Sequence, residues 1–457
     1  LLSLPGARVT LDPAALLRGQ LRPETLRLSG AQIALGRRAD GTLDVSLGGA
    51  VPAFAFDSLA ALFDAADVAF GLPALSSLTR IEAEGLSMTF ADRVAGRTWE
   101  MGDGRLTVEN RRSTLAAQLS LSLVAGGSGP GTAEVTVITD RRGPGARITV
   151  AVQGVAAPDL AALSGGLAFL GVLDAPISGR IETALDAATG TPAALAARLD
   201  LAAGAVTPAE GAEPLAFDHA VIDLAYDPVR ERLDLAEVRV ESPSLRLSAQ
   251  GHAYTPGAAA GLPSEMLAQI ALNEVRIDPE GLFVAPAAFT GGALDLRLRL
   301  RPFAVDIGQL VLLDGDRRLS LRGRAAAEGE GWRVALDAGI DAIAHDRLLA
   351  LWPLRLVPRT RDWLAANVQE GTLSDISAAV RIDPGAEARL SLTYDFEGAG
   401  VRFVPTLPPI RGGAGYATVE GTRYTLVLDR GEVVPPQGGP IAVAGSVFAV
   451  PDITARP

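Results

Sequence analysis

The chain has 457 residues, 48% of them hydrophobic but only 5% aromatic, and a formal net charge of −12. The hydrophobic content excludes a disordered chain, and the acidic balance disfavours nonspecific attraction to nucleic acid or to an anionic membrane face, which basic patches normally meet. The absence of cysteine excludes disulfides, thiolate metal sites and cysteine nucleophiles.

In chain order, Val9 and Leu11 alternate as a short strand, Asp12 is placed to cap a one-turn helix that opens on Pro13, and Gly19 ends it. Extended stretches follow around Leu26, Leu28, Ile33 and Leu35, and Asp40-Gly41 signals a hairpin before Leu43, Val45 and Leu47. Leu59, Leu62 and Phe63 are spaced for one face of a helix that Gly71 and Pro73 close. Alternating strands then dominate, at 81–90, 105–109, 115–124, 133–139 and 146–153, separated by turn chemistry such as GGSGPG at 126–131 and RRGPG at 141–145. Leu160, Leu163 and Leu167 have helical spacing, weakened by Gly165-Gly166. Alternation resumes through 180–185, 195–201, 220–226, 232–240 and 244–251. It is purest at Leu294, Leu296, Leu298 and Leu300, which interleave with Asp295, Arg297 and Arg299.

The clearest helical signal lies in DRLLALWPLRLVPRTRDWLAANVQEGTLSDISAAVRI, residues 346–382. Arg347 to Leu351 form a short helix that must stop before Pro353. Pro358 suits a first turn, Trp363, Leu364 and Val368 fall on one face, and Gly371 stands where a left-handed cap would go. From Ile376 the period returns to two, and strands resume at 390–396, 415–420 and 424–429. A series of alternating strands with few helices predicts an antiparallel meander with one wet and one greasy face.

Enzyme signatures fail. A Walker A loop needs a lysine, and all 41 basic residues are arginine. Gly412, Gly413 and Gly415 lack the spacing of a dinucleotide fingerprint and read as a loop. His219, His252 and His345 are far apart in sequence with no nucleophile elbow or ligand spacing, and Asp314-Gly315-Asp316 lacks the remaining positions of a calcium loop and reads as a surface turn. The expectation is no enzyme, no metal and no cofactor. Arg297 and Arg299 are the charged outward positions of a half-buried strand.

Two accounts of the apolar face stay open: a closed core of packed sheets or a barrel, and an open trough available to a ligand. Two acyl chains of about 30 methylenes would take on the order of 24 kcal/mol to expose to water, at ~0.8 kcal/mol per CH₂, and a continuous apolar lining would offset that along a whole route. The candidate lining residues are Leu119, Leu121, Leu123, Val135, Val137, Ile148, Val150, Leu245, Leu247, Leu294, Leu296, Leu298, Leu300, Leu319, Leu321, Val334, Leu336, Leu426 and Leu428. Trp352, Trp363, Leu364 and Val368 are the candidate helical cap.

Two stretches carry a resemblance. LDPAALLRGQLRPETLRLSGAQIALGRRADGTLDV near the start is similar to the opening of AsmA-like bacterial envelope proteins, and LLALWPLRLVPRTRDWLAANVQEGTLSDISAAVRI, with Trp352-Pro353, Trp363-Leu364 and Gly371, resembles the YhdP subgroup. The resemblance implies an elongated, mainly β protein whose antiparallel sheet forms a twisted hydrophobic groove. It further implies a periplasmic location, an inner-membrane anchor outside this sequence, and phospholipid transport toward the outer membrane. The expected organisation is a repeated β-groove over 1–345 with short helices near 13–18, 57–66 and 158–168, a helical insertion over 346–372, and a continuation of the groove over 373–457. The start without methionine and the stop inside a strand-like pattern suggest an internal fragment. The expected partners are phospholipid acyl chains, the inner membrane and other envelope proteins. An alternative is an envelope scaffold or outer-membrane assembly factor that recognises protein strands by edge pairing; an extracellular adhesin is a third.

Overall fold

The computed structural model describes residues 6–38, 40, 42–47, 54–72, 75–93, 96–123, 131–140, 145–161, 165–185, 192–207, 214–257, 264–300, 302–328, 331–354, 358–404 and 406–453. Strands account for 67% of the structure and helices for 11%, so the chain is mainly β, as its alternation predicts. It divides into two compact units, one of Leu1–Val206, His219–Ala236 and Tyr254–Pro263, the other of Thr207–Asp218, Glu237–Ala253 and Ser264–Pro457.

The first unit opens as its turn chemistry dictates. Helix α1 (Pro13–Leu16) has Pro13 in its first turn, and the Asp12 carboxylate accepts hydrogen bonds from the Ala14 and Ala15 amides, which satisfies two donors that a helix start leaves open. The hairpin of Gln32–Arg37 with Leu43–Leu47 forms around the predicted turn, although Gly41 lies outside the described residues. Helix α2 (Leu59–Gly71) runs beyond the expected 57–66 and is capped by Ser58, which accepts from the Ala61 amide at 3.1 Å.

The strand after α2, Arg80–Asp92, adds parallel pairings to a sheet that is otherwise antiparallel among the described residues. Along one edge it pairs in parallel with Pro23–Ser29 and then with Gln32–Arg37. Parallel pairing needs a long crossover, and the segment containing α2 supplies it. On its other edge an antiparallel ladder begins: Arg80–Asp92, Arg97–Asn110, Thr114–Leu123, Gly131–Asp140, Ala146–Ala156, Pro176–Leu185, Pro192–Leu201 and His219–Asp227 pair in succession. The single helix expected near 158–168 is two short pieces, α3 (Ala157–Ala161) and a 3₁₀ turn at Gly165–Val172. Leu160, Leu167 and Leu170 are fully buried there, and Leu163 lies outside the described residues.

The second unit repeats one device. Glu265–Ile277, Gly291–Leu300, Phe303–Asp314, Arg317–Glu328, Gly331–Ala344, Val368–Ile382, Arg389–Val401, Ile410–Glu420, Arg423–Val433 and Ser446–Val450 pair antiparallel, each with the next. Asp314-Gly315-Asp316 is the tight turn between two of them, and Gly315 takes a positive φ. Gly412, Gly413 and Gly415 are not a loop: they lie in the Ile410–Glu420 strand, where the register shifts between Arg411 and Gly415. Gly323 has φ +145, and a Cβ there would run into the Ala335 carbonyl, so glycine alone fits the position.

The helical insertion is shorter than the expected 346–372. It consists of α4 (His345–Leu351) and α5 (Pro358–Asn367), after which Val368 already opens a strand. Val368 pairs with Val401 across that strand, so it is not part of the helical face with Trp363 and Leu364. A β-branched residue suits the pleat better than the helix. Gly371 is not a helix cap either; it sits mid-strand at φ +147 against Ala399.

Burial differs between the units. Of the ten largest fully buried side chains among the described residues, nine belong to the first unit and only Ile343 to the second. The second unit therefore holds its apolar residues mainly at a partly open surface.

Candidate functional site

Residues directly opposite one another in paired strands project from the same face, so the register of the second unit can be followed as rows. One row runs Ile270, Leu294, Leu310, Leu321, Ala338, Ala378, Leu392, Val419, Tyr424 and Val450. Ten strands at ~4.8 Å spacing make it about 43 Å from end to end. Beside it run Ala268, Leu296, Ile307, Gly323, Leu336, Val380 and Leu390, then Met266, Leu298, Val305, Ala325, Val334 and Ile382. Leu272, Gly292, Leu312, Leu319, Ile340 and Ile376 form a fourth row. The predicted residues Leu294, Leu296, Leu298, Leu319, Leu321, Val334 and Leu336 are thereby brought onto one face, joined by Leu426 through Tyr394 and Ala417.

Exposure is the decisive property of these rows. Leu294, Leu296, Leu298, Leu310, Leu312, Leu319, Leu321, Val334, Leu336, Val380, Leu390, Leu392 and Leu426 are all half-buried. Leucines of a closed core would be shielded, as Leu199 and Leu201 of the first unit are, at 0% and 1% exposure. Leu428, at 6% exposure, is covered rather than lining, and within the rows Ala268, Leu272, Ile376 and Val419 are buried as well. The side chain of Leu300 lies outside the described residues. Leu245 and Leu247 join Leu294, Leu310, Leu312 and Leu319 around a buried cluster of Ala249, Leu272, Val275, Ala287 and Phe289.

The alternate positions make the opposite, polar face. Asp306 receives Arg299 at 2.6 Å and Arg324 at 3.5 Å, while Asp337 receives Arg381 at 2.6 Å and Arg322 at 3.6 Å. Hydrogen bonding from Arg381 holds the Asp337 carboxyl below its ordinary range. Arg297 reaches Glu265 at 3.8 Å. These arginines are matched with carboxylates across neighbouring strands, as solvated face positions are.

The insertion meets the apolar face in two places. From α4, Leu351 packs on the cluster that Leu294, Leu310, Leu312 and Leu319 join, and Arg347 is anchored to Asp314 at 2.7 Å. From α5, the Trp363 ring lies 5.6 Å from Phe403, which lies 5.5 Å from Phe448, which lies 6.4 Å from Tyr424. Arg361 ties the helices together by donating to the Leu349 carbonyl. Trp352 and Leu364 are half-buried, and Trp363 is 39% exposed.

One polar feature interrupts the apolar rows. The hydroxyls of Tyr394 and Tyr424 lie 3.0 Å apart, and burial pushes both phenols above their ordinary pKa, so both stay protonated. Tyr394 and Tyr424 lie in strands that are not neighbours, and the intervening Ile410–Glu420 strand is what brings them together.

The first unit has rows of its own. Ala83, Leu106, Leu119, Val135, Val150, Ile181, Ala197 and Leu224 share one, and Val108, Ala117, Val137, Ile148, Thr183, Leu195 and Tyr226 another. Leu119, Leu123, Val135, Val137, Ile148 and Val150 are half-buried, whereas Leu121, at 4% exposure, packs into a closed cluster with Leu86 and Met88. Leu115, Thr139, Ala146 and Leu185 form a further row that is fully buried. Thr139 donates to Asp67 of α2 at 3.4 Å, so α2 lies against this row, a role its sequence did not signal.

Among the described residues no cluster of three or more metal-ligating side chains occurs, and no helix is long and apolar enough to cross a membrane. His219 is occupied by an exposed contact with Asp200 at 3.1 Å. The arrangement is a two-sided sheet with a half-exposed hydrocarbon surface on one side and paired ions on the other. Comparison of the chain with protein-family models, with curated proteins and with solved structures finds no match.

Proposed function

We propose that the protein is a non-enzymatic carrier of phospholipid in a bacterial envelope, moving it along an apolar β surface between the inner and outer membranes. The observation that supports this is one row of side chains in register across ten strands of the second unit, aliphatic except for Tyr424 and half-buried except for Val419. Acyl chains laid on these rows would exclude water from both surfaces, at ~0.8 kcal/mol per methylene, while the headgroup stays in water. Each row offers much the same lining at every strand, so a chain can slide without a large change in free energy. The likeness of residues 11–45 and 348–382 to AsmA-like and YhdP-like sequences supports a periplasmic location, with an inner-membrane anchor outside this sequence.

Photocrosslinking groups at Leu296 and Leu298, followed by lipid extraction, test the proposal. Lipid adducts at both positions are expected, and their absence would sink it. The second reading, a scaffold for protein strands, is favoured by Ser446–Val450, which among the described residues pairs only with Arg423–Val433 and leaves Val447 64% exposed. Peptide adducts in place of lipid would select that reading.

A further inference from the structure

The tyrosine pair on the apolar face has a donor to spare. Two phenols carry two hydroxyl protons, and a hydrogen bond between them uses one. Among the described residues neither hydroxyl has another hydrogen-bond partner. Burial already keeps the pair largely from water, so covering the face with hydrocarbon leaves the second proton without an acceptor, which weakens binding unless the ligand supplies one. The surroundings restrict what the acceptor can be. By register, the pair's neighbours are Leu392, Ala417, Val419, Leu426, Phe448 and Val450, and none of them carries a charge. An anionic phosphate would have no cation here to meet it. A neutral carbonyl oxygen attached directly to an alkyl chain fits both the donor and the apolar rows.

We infer that Tyr394 and Tyr424 together donate one hydrogen bond to the ester carbonyl at the root of a bound acyl chain, so that this face selects ester-linked lipids over ether-linked ones. The inference rests on the lipid-carrying reading above. It makes the pair a specificity-determining station, at the part of the sheet where the aromatic chain Trp363, Phe403 and Phe448 connects α5 to Tyr424.

The test compares binding of dioleoyl phosphatidylcholine with its dialkyl ether counterpart, which has the same headgroup and chain length. The full chain should favour the ester by about fivefold, the worth of one ordinary hydrogen bond. Y394F and Y424F should each keep that preference, because a lone hydroxyl still has a proton to give. The double variant Y394F/Y424F should bind both lipids alike. Infrared spectroscopy of carbonyl-labelled ester lipid on the unaltered protein is an independent readout. The carbonyl stretch should fall in frequency on binding, as it does when a hydroxyl donates to it, and the shift should be missing in the double variant. Equal affinity of the unaltered protein for ester and ether lipid, an unshifted carbonyl band, or an undiminished preference in the double variant would each overturn the inference while leaving lipid carriage standing. If neither lipid binds, lipid carriage fails and this inference fails with it.

Discussion

Leu296→Glu separates an open apolar face from a covered one. Leu296 is half-buried in the row with Ala268, Ile307 and Leu336. Full burial of a leucine is worth about 1.5–3 kcal/mol, so losing a half-buried one removes about 1 kcal/mol, and the new carboxylate keeps its water. Against a domain stability of ~5–15 kcal/mol, that is tolerable. Had the face been covered, the same substitution would strand an unpaired charge and cost more than about 4 kcal/mol. Ile343→Glu, at a position 1% exposed, provides that comparison within the same unit. Urea unfolding followed by circular dichroism should give a small shift for Leu296→Glu and a collapse for Ile343→Glu. Phospholipid binding tells the other half. An acyl chain crossing the substituted position must strip the new carboxylate of its hydration at several kcal/mol, so affinity should drop by about a hundredfold or more. Unfolding of the Leu296→Glu variant as severe as that of Ile343→Glu would show that the face is closed, and undiminished binding by a folded variant would show that lipid does not use this row.

Two further outcomes follow from the backbone and from the phenols. Gly323→Ala should destabilise by about 2 kcal/mol or more, because its φ of +145 and the Ala335 carbonyl both oppose a side chain. Gly308→Ala, whose nearest neighbour would be the Asp295 carbonyl oxygen at 3.6 Å, should stay within about 0.5 kcal/mol in the same denaturant assay. Burial raises the pKa of Tyr226, Tyr394 and Tyr424. The stability linked to these phenols is therefore intact below the unfolded value of about 10 and is lost as pH rises through the folded values. Absorbance at about 295 nm, recorded together with circular dichroism, should show their phenolates emerging only as β structure is lost; complete titration of all five tyrosines in a folded protein would contradict the burial argument.

Local sequence carried much of this fold because its local chemistry is strong. Asp12 before Pro13 caps α1, Asp314-Gly315-Asp316 turns the chain, and the leucines from 294 to 298 interleave with charges that pair on the far side. Pairing across long sequence separations left no such trace. The parallel docking of Pro23–Ser29 and Gln32–Arg37 on Arg80–Asp92 depends on where a crossover delivers the returning strand. The placement of α2 beside Thr139 rests on a contact 72 residues away. At Val368 helix and strand periodicities overlap, and pairing with Val401 decided the outcome. Alternation marked which leucines share a face but not whether anything covers them, so Leu121 and Leu428 looked like Leu119 and Leu426 until packing separated them. The Tyr394–Tyr424 contact needed the register of a third strand before it could be seen.

The succession of strands in the second unit also bears on how it is made. From Gly291 to Val433 each strand pairs with the one that precedes it in the chain. Apart from the excursion through α4 and α5, every new pairing closes only a short loop, and the entropy of closure stays small and nearly constant from one addition to the next. A sheet of this kind has low contact order for an all-β structure. It can lengthen hairpin by hairpin in the order of synthesis, each finished strand serving as the template for its successor.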